Sequence, residues 1–361
     1  MRLHRSSSVR RSTAFTIALV ALVSVLGVVP MAAPAGADVN PQFMTVDIAS
    51  GTPGTVYATV IDNDPVTNDE TWSVVELDAT TGDTLRTVAD LGTTVIEAMG
   101  AAPGRVTLAD AAGTIHTYRR LADGYAPLHS WPVSVPGVSG DVFVGGLAPF
   151  PDGRTAAIVV VSHPTVIDPF PVPEFAGVLL YDSVGDILGM WKVPVSLAEP
   201  KAFVLPDAVD VLPSGEIFVA GIPCQGAICG SPVVDTGWLF QIDVERARPS
   251  WNLSTGQQWD DSLLVNATSV AVIDDTHVVT LSDHDEAVEL DLSGGSVTRD
   301  DLLALDLGWT AEDVANSWGA GDLVDVLEHE GTSDVERVHR FQQVGDVWTS
   351  LGTIPASWDS M

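Results

Sequence analysis

The stretch Leu77–Val88, "LDATTGDTLRTV", leaves an apolar segment, crosses a polar turn that holds a glycine, and enters a second segment of Thr, Leu and Val. Short apolar and β-branched runs bounded by Asp, Thr and Gly are the pattern of antiparallel strands joined by a turn. Five other stretches share it: Tyr118–Trp131 "YRRLADGYAPLHSW", Tyr181–Val193 "YDSVGDILGMWKV", Phe240–Trp251 "FQIDVERARPSW", Leu290–Thr298 "LDLSGGSVT" and Phe341–Trp348 "FQQVGDVW". Five of the six turns hold a glycine: Gly82, Gly124, Gly185, Gly294 or Gly345. Trp131, Trp191, Trp251 and Trp348 recur on the outgoing side.

Each copy has a second hairpin upstream, such as "VDVLPSGEIFVAG" or "VAVIDDTHVVTLS", whose first strand starts near position 43, 95, 142, 207, 267 or 313. Two hairpins per unit make four strands. A four-stranded sheet this small cannot bury both faces alone, and stacking such sheets around an axis hides them. The twist of the strands curls the stack into a ring. The expectation is an all-β chain folded as a six-bladed β-propeller, with four antiparallel strands per blade. The recurrent tryptophans read as wedges between blades. One departure from strand grammar is the stretch from Asp300 to Val314, where "DDLLALDLGWTAEDV" suggests a helical turn.

The first 37 residues stand apart. Arg2, Arg5, Arg10 and Arg11 precede an apolar run, Ala14–Val29, and Ala35-Gly36-Ala37 supplies a small-x-small cleavage site. This is the layout of an export signal, and the run is shorter than the ~20 residues a spanning helix needs. The expected organisation is a cleaved signal peptide, 1–37, and one propeller domain, 38–361, soluble and secreted or held in the cell envelope. Removing the four arginines takes the formal net charge from −32 to −36 and leaves only two lysines, Lys192 and Lys201. Such a surface repels nucleic acid and anionic lipid, whose binding depends on Lys and Arg. The two cysteines, Cys224 and Cys229 in "GIPCQGAICGSP", have no histidine beside them. In an exported chain they read most simply as a disulfide that staples a Gly/Pro-rich loop.

The motif "LDATTGDTL" resembles the repeats of pyrroloquinoline-quinone-type propellers, and "PDAVDVLPSGEIFVAG" resembles the NHL and gluconolactonase type of repeat. Together they are similar to the broad superfamily of exported bacterial propellers, over nearly the whole of 38–361. The gluconolactonase-like members hold a divalent ion in the central channel with Glu and Asn/Asp. That resemblance matches Asp207 and Asn266 to two such ligand strands, in reversed order along this chain; with Glu97 they are the residues a divalent-ion reading rests on. Trp259-Asp260 and Trp358-Asp359 do not sit at strand ends as tryptophan–aspartate (WD40-like) repeats require.

The familiar catalytic patterns are missing. There is no G-x-S-x-G nucleophile elbow, no phosphate-cradling glycine loop and no H-E-x-x-H; His329 and His339 in "EHEGTSDVERVH" have the wrong spacing. His116, His129, His163 and His277 are scattered, with no ligand spacing. Two acidic loops remain, Asp62, Asp64, Asp69 and Glu70 in "DNDPVTNDE" and Asp283, His284, Asp285 and Glu286 in "SDHDEA". Clustered oxygen ligands suit Ca2+, and ordinary polar turns are the simpler reading. The innermost strands of a propeller deliver end residues to the axial channel, which here places Glu97, Asp141, Asp207, Asp210, Asn266 and Glu312 at its mouth. Converging carboxylates repel, so they bind a cation or raise their pKa values.

The sequence reading is therefore a monomeric binding module for a protein, small-molecule or glycan ligand, with no catalytic set and no cofactor assigned. The alternative is a metal-dependent hydrolase or lactonase with Ca2+ or another divalent cation in the channel.

Overall fold

Residues 155–162, "TAAIVVVS", show why the chain forms this fold. All but the last are buried, and successive side chains point to opposite faces of the strand. Ala156 and Ile158 enter one apolar cluster with Val211, Ile217 and Phe240, while Ala157 and Val159 enter another with Ala109, Ile115 and Trp131. A strand covered on both faces reads as a continuous apolar run rather than an alternating one. The sheet that holds it is clamped between two others.

The computed structural model describes residues 44–355 apart from 51–53, 64–66, 68, 163–172, 194–201, 226–227, 230–236, 245–250, 253–256, 262–263, 265–266, 282–285, 294–296, 318–321, 331–335 and 346. The proposed signal segment, 1–37, lies outside the described residues. Those that are described fall within one compact unit, Pro41–Met361.

Blade one is β1(Met44–Ser50), β2(Thr55–Asn63), β3(Glu70–Asp78) and β4(Thr84–Gly92). Blade two is β5(Ile96–Ala102), β6(Arg105–Asp110), β7(Thr114–Leu121) and β8(Gly124–Pro132). Blade three is β9(Asp141–Pro149), β10(Thr155–Ser162), β11(Phe175–Tyr181) and β12(Ile187–Lys192). Blade four is β13(Ala202–Val211), β14(Glu216–Gln225), β16(Gly237–Asp243) and β18(Gln257–Asp261), with the short β15(Ile228–Cys229) beside β14. Blade five is β19(Val270–Val272), β20(His277–Leu281), β21(Ala287–Asp291) and β22(Thr298–Leu302). Blade six is β23(Trp309–Asn316), β24(Leu323–Glu330), β25(Glu336–Val344) and β26(Val347–Pro355).

Within each blade the four strands are antiparallel and joined in chain order. The innermost strands touch in the sequence β1, β5, β9, β13, β19, β23 and back to β1, so the ring is closed. Each seam between consecutive blades, including that between six and one, holds its own apolar cluster. The six-bladed, four-stranded, all-β expectation is met. Among the described residues no helix is long and apolar enough to cross a membrane.

Two local expectations are corrected. Asp300–Val314 holds no helical turn: it is the end of β22, a turn at Asp306–Gly308 and the start of β23. Leu303 is pinned into the seam of blades five and six, and Gly308 at φ +92° reverses the chain. Trp251 is not on the outgoing strand of blade four. It belongs to a two-residue strand, β17(Trp251–Asn252), that pairs in parallel with β12 and sets Trp251 opposite Trp191, adding a fifth strand to blade three. The outgoing strand of blade four is β18, six residues further on, and Trp259-Asp260 lies within it. Trp131, Trp191 and Trp348 are buried in inter-blade clusters, as wedges should be.

The repeated turn has a physical basis. Asp78 Oδ1 accepts the amides of Thr80 and Thr81 at 2.8 and 3.1 Å. Asp182 Oδ1 accepts those of Val184 and Asp186 at 2.9 Å each, and Asp291 accepts that of Ser293 at 2.7 Å. An Asp that closes its own turn mimics a backbone hydrogen bond and fixes where the hairpin reverses. The Thr80 and Val184 amides are the main reason that Asp78 and Asp182 titrate below the usual carboxylate range.

Candidate functional site

The innermost strand of each sheet is an edge strand, and an edge leaves backbone N–H groups unpaired. Near the axis these groups are buried and need acceptors. Side chains from the preceding blade supply them. Glu97 Oε2 on β5 accepts the Val144 amide of β9 at 3.3 Å. Asp210 Oδ2 on β13 accepts the Val272 amide of β19 at 2.8 Å, and its Oδ1 accepts the Val211 amide at 2.8 Å. Asp313 Oδ2 on β23 accepts the Ile48 amide of β1 at 3.2 Å, across the closing seam. Ser269 donates to Asp313 Oδ1 and accepts the Val314 amide at 3.1 Å.

Five innermost strands also carry a β-bulge at a matching place. The register skips Val46, Glu97, Gly145, Asp207 and Glu312. A bulge re-aims the local side chains and increases the twist. Near the axis the strands crowd together: a Cβ on Gly100 would clash with the backbone carbonyl of Leu147 in the next blade.

Of the six residues predicted at the channel mouth, Glu97, Asp207 and Glu312 occupy equivalent bulges. Glu97 and Asp210 are hydrogen-bonded to the neighbouring blade. Asp141 is the exposed first residue of β9, paired in register with Ser162. Asn266 lies outside the described residues. Burial pushes the Glu97 carboxyl up to about 7, against the pull of the Val144 amide. Burial likewise raises Asp210 to about 7, against its two amide donors; protein atoms crowd the carboxyl although the residue keeps some exposure. Among the described residues no three His, Cys, Asp or Glu side chains are placed to share a metal ion.

The acidic loops join second to third strands of blades one and five. Asp62 is the penultimate residue of β2, while Asp69, just before β3, and Glu70, its first residue, are exposed. Glu286 meets Arg299 at 3.5 Å. Asp64, Asp283, His284 and Asp285 lie outside the described residues. Two of the scattered histidines pair with turn carboxylates, His116 with Asp110 at 2.9 Å and His277 with Asp274 at 3.0 Å. His116 and His129 also line an open recess of about 480 Å³ on the outer hairpin of blade two.

The sequence reading missed the buried charges. Glu76, fully enclosed, meets Arg120 at 2.6 Å and Arg86 at 3.1 Å and accepts the Tyr125 hydroxyl at 3.0 Å, linking blades one and two. Arg340 forks onto Asp325 at 2.6 and 2.7 Å within blade six. Glu289 accepts the Trp348 indole N–H at 2.9 Å between blades five and six. The only sequence signal for these was charge inside apolar runs such as "LVDVLEHE".

No family description and no curated protein sequence matches the chain. Several solved structures are similar to it. The structure of U3-55K aligns over 89% of this chain and 83% of its own, at 14% identity and a TM-score of 0.47. The RRP9 WD40 repeats align over 89% and 82%, at 14% and 0.47. A functionally unknown protein from Desulfotomaculum acetoxidans DSM 771 aligns over 78% and 76%, at 14% and 0.46.

Proposed function

We propose that the chain is an exported, soluble, monomeric binding module that engages its partner on the exposed surfaces of the ring. The observation that carries this reading is the occupation of Glu97 and Asp210. These axial carboxylates are hydrogen-bonded to backbone amides of the next blade, which favours a structural duty over a cation-centred lactonase. The acidity, −32 over the whole chain, favours a cationic partner, because complementary charge steers encounter. A protein or peptide rich in Lys and Arg is the partner class.

Export rests on the segment 1–37, and the kinship with exported quinone-type and NHL-type propellers is part of the same proposal. So is the disulfide. Cys224 and Cys229 are register partners across the β14–β15 hairpin. Directly opposed antiparallel residues have Cα atoms about 4.5–5.5 Å apart, inside the range a disulfide spans. Their side chains lie outside the described residues.

The experiment is titration of the purified mature chain with fluorescent octalysine and with a panel of neutral glycans, at low and physiological salt. Saturable octalysine binding that weakens with salt is expected. Absence of saturable binding to either probe, together with chelator-sensitive lactone hydrolysis, would overturn the reading in favour of the metal-dependent alternative. Amino-terminal sequencing of protein recovered from the culture medium tests cleavage after Ala37. Mass spectrometry with and without reductant tests the Cys224–Cys229 bridge.

A further inference from the structure

We propose that Ser350, His339 and Glu328 form a Ser-His-Glu acyl-transfer site on blade six. The three residues stand on adjacent strands: Glu328 on β24, His339 on β25 and Ser350 on β26. Ser350 Oγ lies 2.7 Å from His339 Nε2, and His339 Nδ1 lies 2.7 Å from Glu328 Oε1. Both separations are those of working nucleophile–base and base–orienter contacts.

The surroundings grade from buried to open in the order such a site requires. Glu328 is fully buried and His339 is 3% exposed, while Ser350 is exposed. Glu328 is held a second time, by Arg337 Nε on Oε2 at 2.5 Å. Arg337 is itself fixed by Asp306 at 2.8 Å and by the Trp309 ring, 3.8 Å from the guanidinium carbon. The Phe341 ring lies against the imidazole with centroids 4.1 Å apart. With the ionised Glu328 accepting, the imidazole carries its proton on Nδ1, which leaves the Nε2 lone pair for the serine hydroxyl. Next to the nucleophile, the Gly352 amide points at Ser350 Oγ from 3.2 Å.

The chemistry follows from these placements. Ser350 Oγ bonds to the carbonyl carbon of an ester while its proton passes to His339 Nε2. The carbonyl oxygen takes the electron pair as the carbon becomes tetrahedral. The bond to the leaving oxygen breaks, that oxygen takes the proton from His339, and the alcohol departs. Water then attacks the acyl-serine and gives a proton to His339, which returns it to Ser350 as the acid leaves. Glu328 is a positioning residue throughout. Ser350 sits beside exposed Thr349, Leu351 and Thr353 on an outermost strand, so the donor is approached from open solvent. That setting suits small esters with a good leaving group, such as aryl esters of short acids. This activity is independent of the proposed partner binding and needs no metal.

The test is covalent labelling of the full mature chain. A fluorophosphonate probe, followed by peptide mapping, is expected to modify Ser350 stoichiometrically. p-Nitrophenyl acetate should give a burst of about one equivalent of nitrophenol. Ser350→Ala, at an exposed position, should keep the melting temperature and lose both adduct and burst. Glu328→Gln should slow acylation roughly 10-fold or more and shift its pH profile. Labelling of Ser350 no greater than that of other exposed serines, or a burst that survives in Ser350→Ala, would leave the three residues a structural ladder and overturn the proposal. Because both readouts are insensitive to chelator and to octalysine, their failure is separable from failure of the binding reading.

Discussion

Gly185 in the repeated turn of blade three closes on the indole of Trp131 in blade two: at its φ of +98°, an added Cβ would stand 2.6 Å from Trp131 Cδ2. The two recurring marks of the repeat, the turn glycine and the outgoing tryptophan, therefore meet across a seam between units. Gly185→Ala should destabilise the fold through both backbone strain and overpacking, by about 2–4 kcal/mol. Gly345→Ala, at φ +69° with open space around it, carries the backbone cost alone, about 1 kcal/mol. Urea unfolding of the two variants measures the difference; equal losses would mean that Trp131 is not packed on this turn.

Closure of the ring is tested at Asp313. Its carboxylate serves the Ile48 amide and the Ser269 hydroxyl, both buried. Asp313→Ala orphans the Ile48 amide and leaves the Ser269 hydroxyl only the Val314 carbonyl at 3.2 Å, and should cost about 2–4 kcal/mol. Hydrogen exchange at Ile48 should accelerate more than at core strands such as β10. Unchanged protection at Ile48 would show that the seam does not depend on this contact.

Asp210 gives the fold a pH dependence. Its folded pKa, raised to about 7, lies above its unfolded value, so between about 4 and 7 the folded state binds more protons. Stability from this group is therefore fully present at low pH and falls as pH rises through that window. Glu97, also near 7, contributes in the same direction. Asp210→Asn removes the charge but keeps only one of the two oxygens that accept the Val211 and Val272 amides. Its melting temperature relative to that of the parent should rise by about 3 °C between pH 4 and pH 8, on top of a constant offset from the lost acceptor. A constant difference across pH would contradict the assignment.

The Arg340–Asp325 pair is buried, with Asp325 fully enclosed and Arg340 8% exposed. Arg340→Ala removes both hydrogen bonds of the fork from the buried Asp325 carboxylate and should cost about 3–5 kcal/mol. The double change Asp325→Leu with Arg340→Met should recover most of that loss. Chemical denaturation of the single and double variants reads the coupling, and strictly additive losses would speak against a true pair.

Fold and site differ in how much the chain's order reveals. The blade is local: Asp78, Asp182 and Asp291 each close a turn using amides a few residues ahead, so the unit is visible in a linear string. The helical turn expected near Asp300 failed because the leucines that suggested it divide between a seam and an exposed turn. Trp251 was misplaced because its strand is recruited by a neighbouring blade after a Pro-containing insert. Glu97, Asp207 and Glu312 lie on innermost strands, but the bulges that hold them and the partners of Glu97 and Asp210 arise only when blades meet. The Ser350–His339–Glu328 array is harder still. Its members are spaced by 11 residues each, and only the register of three strands brings them into line.

Among the described residues each blade has four strands of its own, and blades six and one share none of them. Their junction is an apolar patch around Ile48, Val56, Ala315, Leu327 and Val338, plus the Asp313 contact. A pull on the two ends of the ring therefore falls on apolar contacts and the Asp313 hydrogen bond, which can yield one at a time. In a propeller whose last blade borrows a strand from the first, the same pull would have to shear a whole hydrogen-bond ladder at once. Under mechanical load this ring should yield at low force, blade by blade, from the six–one boundary inward.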